Sequence, residues 1–201
     1  MRQALRMLAR DWRAGELQVL AAALVVAVAS VTSVAFFADR VGQALTRDAH
    51  QLLGADLVLA SDHPWDKAIG EEIARRGLAR AEALNFISMA SAGEGDARRS
   101  KLAGVKAVSD NYPLRGKLRT APAPGAPDAP AARGPASGSV WLDEQLVGAL
   151  GAPVGSTIRL GSAELRVAAV LTLEPERGAN FFNIAPRLMM NLADVPATGL
   201  V

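Results

Sequence analysis

LQVLAAALVVAVASVTSVAFFA, residues 17–38, is an unbroken run of uncharged residues with arginines clustered just before it. At helical rise it is about 33 Å long, against a bilayer hydrocarbon core of about 30 Å. So long an apolar helix predicts a membrane crossing, and its flanks predict the direction. Arg2, Arg6, Arg10 and Arg13 precede it, opposed only by Asp11 and Glu16, whereas Asp39, Arg40, Arg47 and Asp48 beyond it balance. That bias places the N-terminus in the cytoplasm and everything after residue 38 on the far side of the membrane.

The same flank explains the pI of 9.4. Of 22 Lys and Arg, four precede the run, and of 20 Asp and Glu, two do, leaving 18 of each from Asp39 onward. The basic excess is a topology signal, so nucleic acid is not an expected partner. On a helical wheel Leu5, Leu8 and Trp12 share one side of the stub and the arginines form a stripe away from them. This predicts an amphipathic helix lying in the headgroup region; the plainer reading is a positive-inside flank without such a helix.

A cleaved signal peptide competes with a retained anchor. Ala27-Val28-Ala29 fits a small-residue cleavage pattern behind the apolar core 17–26. Against cleavage, the run continues through Val31, Val34, Phe36 and Phe37, which a secreted N-terminus would leave exposed. Ser30, Thr32 and Ser33 in the outer half either face another helix or bond their own backbone.

The chain has no cysteine, so the outer part must hold together by burial without disulfides. With aromatics at 4%, its core is expected to be built from Val, Leu, Ile and Ala. Residues 40–53 continue the helix to a stop at Gly54. Asp56–Ala60 reads as a short buried strand, and Asp62-His-Pro64 opens a second helix with Trp65, Ile69, Ile73 and Arg76 on one face, ended by Gly77. Residues 79–109 alternate as a long hairpin turning at Gly93–Asp96. Its basic cluster Arg98, Arg99 and Lys101 reads as a solvated strand rather than a ligand site.

Thr120–Ser139 holds five prolines and almost no large apolar residue. It is expected to be a surface linker or disordered loop whose removal leaves the domain folded. Val140–Leu142 resumes as a strand, Asp143 caps a short helix over 144–150 that Gly151 ends, and 157–160 with 165–173 form a second hairpin across Gly161-Ser162. Arg187–Leu192 is a final strand.

No residue is assigned a catalytic, cofactor-binding or metal role. His50 and His63 are isolated, and Ser61-Asp62-His63 holds the residue types of a hydrolytic triad without its geometry. The glycines at 93, 95 and 104 sit in a hairpin with no lysine-hydroxyl pair following, so no phosphate loop is expected.

The opening ALRMLARDWRAGELQVLAAALVVAVASVTSVAFFADRV, then LLGADLVLAS, resembles the start of ABC-transporter permeases of the FtsX/MacB-like superfamily, in particular the YbbP-type predicted permeases. VWLDEQLVGALGAPVGSTIRLGSAELRVAAVLTLEPERG and APRLMMNLADVPATGLV resemble blocks of their extracytoplasmic domain. The resemblance implies a cytoplasmic ATP-binding partner subunit and ATP-driven handling of a lipidic or hydrophobic substrate. It transfers no catalytic residue and no cofactor.

The expected organisation is a cytoplasmic amphipathic stub over 1–16, a transmembrane helix over 17–38, and an α+β extracytoplasmic domain over 39–201. That domain resembles the MacB-like periplasmic core, is incomplete at its C-terminus, and carries the Pro/Ala-rich loop 120–139. This is the N-terminal part of a non-catalytic permease subunit of the bacterial inner (plasma) membrane, touching membrane lipid and an extracytoplasmic partner protein. The alternatives are a single-span anchored binding or scaffold module and, more weakly, a secreted protein.

Overall fold

The computed structural model describes residues 10, 12, 15–176 and 185–201, without the side chains of 16 and 46–52. The stub expected to lie along the headgroups falls almost wholly outside them. The chain divides into two units, 1–48 and 49–201.

Helix α1, Glu16–Leu52, is continuous over 37 residues. Leu17–Leu45 is long and apolar enough to cross a membrane, and none of its apolar window is buried within the protein. Val31 is 71% and Phe37 70% exposed, so among the described residues this surface finds no protein partner. Ser30 Oγ donates to Val26 O at 2.8 Å and Thr32 Oγ1 bonds Val28 O, so both hydroxyls satisfy themselves on their own helix. Past residue 38 the surface turns polar, with Gln43 Nε2 donating to Asp39 Oδ2 at 2.9 Å.

The second unit is built on an eight-stranded mixed sheet: β1 Ala83–Ala92, β2 Arg99–Val108, β3 Leu118–Ala121, β4 Ala129–Ala131, β5 Ser139–Leu142, β6 Thr157–Leu160, β7 Ala163–Leu173 and β8 Arg187–Asn191. The order is β4-β3-β7-β5-β8-β2-β1-β6, and β6 also pairs with β7, so six of the strands close a circuit. β2 runs parallel to β8 and β5 parallel to β7, while the two sequence-local hairpins β1–β2 and β6–β7 are antiparallel. Both faces of the central strands are covered, and accordingly β8 is buried along its whole length.

One face carries Ala103, Val105, Val140, Leu142, Val167, Leu188 and Met190, against which helix α3 (Glu144–Leu150) packs Leu146, Val147 and Leu150. Each leucine so buried contributes about 1.5–3 kcal/mol. Asp143 caps α3, its Oδ1 accepting the Leu146 N–H at 2.8 Å, and Gly151 ends it at φ 62. The opposite face gathers Val108, Tyr112, Leu118, Trp141, Leu171 and Met189. A short helix α4, Val195–Thr198, follows β8.

Three expectations are corrected. Asp56–Ala60 is not a strand: Leu57 is 74% and Leu59 53% exposed, because a strand needs a hydrogen-bonding neighbour and this run pairs with no strand among the described residues. The β-α unit expected there is therefore absent. Helix α2 is Lys67–Arg75 and opens at Asp66, whose Oδ1 accepts the Ala68 N–H at 3.0 Å, rather than at Asp62-His-Pro64.

The Pro/Ala-rich stretch 120–139 is part of the sheet. It contributes the end of β3 and all of β4, with Arg119 opposite Pro130 and Thr120 opposite Ala129. Arg119 grips Asp128 with Nε and Nη2, each at 2.7 Å, and Thr172 Oγ1 adds a third bond at 2.9 Å. Composition weighs apolar side chains, but here main-chain pairing and one carboxylate supply the order.

Candidate functional site

Strand alternation predicts that β2 sends Ala103, Val105 and Ala107 to one face and Lys106 and Val108 to the other. The lysine is 1% exposed. A buried ammonium must be paired, since an unpaired one costs several kcal/mol. Its Nζ donates to Tyr112 Oη at 2.6 Å and to Glu176 Oε2 at 2.8 Å. Tyr112 belongs to the loop after β2 and Glu176 to the connection after β7, so one side chain ties two loops to the sheet.

A second buried pair lies beside it. Arg187, at the start of β8, donates from Nε to Glu174 Oε1 at 2.7 Å, with side chains 8% and 0% exposed. Asp143 joins through the main chain: Oδ2 accepts the Arg187 N–H at 2.8 Å while Oδ1 caps α3. Burial above all, then the carboxylates of Glu176 and Glu174, push the Tyr112 phenol well above its ordinary value, with Arg187 pulling the other way. Tyr112 therefore stays neutral and accepts from Lys106.

Directly above these groups lies the chain that has just left α1. Gly54 is buried at φ 68, and a Cβ there would stand 3.0 Å from Glu176 Oε1, 3.3 Å from Pro175 Cβ and 3.6 Å from Tyr112 Cε2. Gly54 is the expected helix stop; it is also a place where only glycine lets the backbone approach the polar cluster. The Gly54 carbonyl accepts the Arg115 N–H at 2.8 Å. Two residues on, Asp56 receives Arg115 in a bidentate clamp, Nε to Oδ1 at 3.0 Å and Nη2 to Oδ2 at 2.9 Å.

Glu176 holds the joint from both sides, one carboxylate oxygen on Lys106 and the other against Gly54. It takes φ 69, a left-handed conformation that costs a non-glycine residue about 1–2 kcal/mol. Residues 54–56 thus meet Arg115, Tyr112 and Glu176, and Glu176 reaches the sheet through Lys106. Lys106, Tyr112 and Glu176 line neither the cleft at Ser88, Met89 and Arg98 nor the one at Leu59, Ile69 and Ile73.

The Ser61-Asp62-His63 motif lies elsewhere. His63 Nδ1 is 3.4 Å from the Asp62 carboxylate with both side chains more than four-fifths exposed, and Ser61 Oγ accepts the His63 N–H. The side chain of His50 is outside the described residues. Sequence reasoning missed the whole cluster. Two signals were available: a lone lysine inside the apolar run of β2, and Tyr112 as the chain's one tyrosine.

Residues 19–199 match the family described as MacB-like periplasmic core domain. Over 192 residues, 96% of this chain, the sequence is 40% identical to the uncharacterized ABC transporter permease YbbP of Escherichia coli (strain K12). The match takes in 22% of that relative, so the chain spans about a fifth of its length. No solved structure matches the chain.

Proposed function

Since the chain belongs to the MacB-like periplasmic core domain family, we propose that it serves as part of an ABC-transporter permease, joining a membrane helix to an outer domain. In this reading residues 1–16 are cytoplasmic, 17–38 cross the bacterial inner membrane, and 39–201 stand outside it. A cytoplasmic ATP-binding subunit drives the membrane helices, and the outer domain handles a lipidic or hydrophobic substrate with an extracytoplasmic partner. The chain contributes no catalytic group or cofactor; it passes on movement.

The observation that carries the reading is the joint at 54–56. Within the second unit, residues 54–56 are held by a bidentate clamp beside two buried ion pairs. Such anchorage suits transmission of movement, because Arg115 and Glu176 hold Gly54 and Asp56 against the sheet unit.

The native chain lacks cysteine, so single cysteines report topology cleanly. With Gln3→Cys and, separately, Lys101→Cys, an impermeant maleimide added to spheroplasts should label position 101 and spare position 3. Co-purification of an ATP-binding subunit from solubilised membranes should accompany it. Labelling of position 3 would overturn the orientation. Correct topology with no ATP-binding subunit would replace the permease by a single-span binding module.

A further inference from the structure

Strand β1 has an open edge. β6 pairs with it only at Ala90 and Ser91, and among the described residues Ala83–Met89 have β2 on one side and no strand on the other. Along this edge lies a cleft of about 360 Å³ whose lining includes Ser88, Met89, Ser91, Arg98, Ser100 and Arg159.

The β1–β2 face leading to that cleft is graded. Ile87, Met89 and Ser91 succeed one another on one face of β1, opposite Gly104, Leu102 and Ser100. Ile87, Met89 and Leu102 are 46%, 51% and 47% exposed, and Gly104 leaves a gap beside Ile87. Rung by rung the surface passes from apolar to hydroxyl, and then to guanidinium. Arg98 Nη2 reaches Ser91 Oγ at 3.3 Å, and Arg159 is shared with Glu164 at 2.8 Å. Arg99 leaves for the other side, with Nη1 against Gly151. Arg98 has no carboxylate partner among the described residues, which leaves its fork of donors available to an anion.

We propose that this edge binds a single-chain anionic amphiphile, a carboxylate or phosphate head at Arg98, Arg159 and the serines and an alkyl tail over Met89, Leu102 and Ile87. The apolar row covers only two rungs, about 7 Å of strand, far short of the ~800 Å² per partner that a stable protein interface buries. It suits one alkyl chain. The proposal rests on the permease reading and gives its amphiphilic substrate a place and a charge.

The test uses the whole chain in phosphatidylcholine nanodiscs with ¹³C-methyl methionine. Met89 is half exposed and Met189 and Met190 are fully buried, so one methyl reports the edge and two report the core; Met89→Leu assigns the signal. Octyl phosphate, corrected for partition into empty nanodiscs, should shift Met89 saturably and leave Met189 and Met190 in place. Inorganic phosphate should not move Met89, octanol should bind at least tenfold more weakly, and Arg98→Gln should raise the half-saturation point at least tenfold. A silent Met89, equal binding of octanol or of inorganic phosphate, or an unchanged Arg98→Gln would each overturn the proposal. If any of these occurs while an ATP-binding subunit still co-purifies, the site falls and the permease reading stands. A shifting Met89 without that subunit keeps the site and removes the permease reading.

Discussion

Replacing Lys106 by methionine keeps the apolar stem and removes the ammonium, leaving Tyr112 Oη and Glu176 Oε2 without their donor. Removing one partner of a fully buried pair costs about 3–5 kcal/mol. Glu176 retains 24% side-chain exposure and can recover some hydration, so the expected loss falls below that scale, at about 2–3 kcal/mol. For a unit of this size that lowers Tm by about 4–12 °C. Arg115→Met breaks the neighbouring clamp, but its two groups are 57% and 58% exposed, and a pair so screened by water contributes little to stability. Thermal melts of the full chain in non-ionic detergent, followed by near-UV circular dichroism, should therefore rank Lys106→Met well below Arg115→Met. Adding Glu176→Gln to Lys106→Met completes a cycle in which the double variant loses less than the sum of the singles, by about 1–3 kcal/mol. Additive losses, or equal melting of the Lys106 and Arg115 variants, would refute the claim that the buried pair holds the joint.

Gly54→Ala meets both a left-handed φ and the Glu176 carboxylate, whereas Gly77→Ala meets a similar φ of 64 with nothing within 4 Å. The first should melt lower than the second by more than about 1 °C, the shift expected from a few tenths of a kcal/mol, and equal melting would show that the close approach constrains nothing. Arg119 foremost, then Thr172, hold the Asp128 carboxyl down to about 2. Its share of stability is thus full above the ordinary carboxylate range near 4 and is lost as pH falls from there toward 2. Asp128→Asn should flatten the melting temperature over that window relative to the parent, and parallel curves would contradict the assignment. The phenol of Tyr112 is raised, so its contribution is intact below about pH 10 and drains away above it. As the chain's one tyrosine it can be followed by its phenolate absorbance, which should appear only together with unfolding; reversible ionisation near pH 10 in a folded chain would place Tyr112 outside the cluster.

Elements encoded over a few neighbouring residues were readable. Alternation and the Gly93–Asp96 turn give the β1–β2 hairpin, and Asp143 with Gly151 bracket α3, because capping and turn chemistry are local. Pairing was not readable. Nothing near Lys106 announces Met189 as its neighbour across a parallel ladder, or Glu176 as its counter-ion seventy residues on. Asp56–Ala60 shows the converse failure: an apolar run states only that it avoids water, and whether it becomes a strand depends on an edge supplied from elsewhere. The Pro/Ala stretch misled for a related reason, since composition is silent about a main chain that pairs with β3 and a carboxylate that waits for Arg119. The candidate site is made of such long-range meetings, and the sequence reading found none of it.

The parallel ladder between β2 and β8 has a consequence for biosynthesis. Gly104 must wait for Arg187, and β5 for β7, before the circuit of strands can close. Translation proceeds at about 5–20 residues per second, so several seconds separate the emergence of these partners. The apolar helix near the N-terminus is complete long before that, and no sheet yet exists to receive the chain beyond it. The second unit therefore waits with its strand edges unpaired until β7 and β8 have emerged. The lysines and arginines on the early hairpin, and the prolines between β3 and β5, disfavour edge-to-edge pairing during that interval.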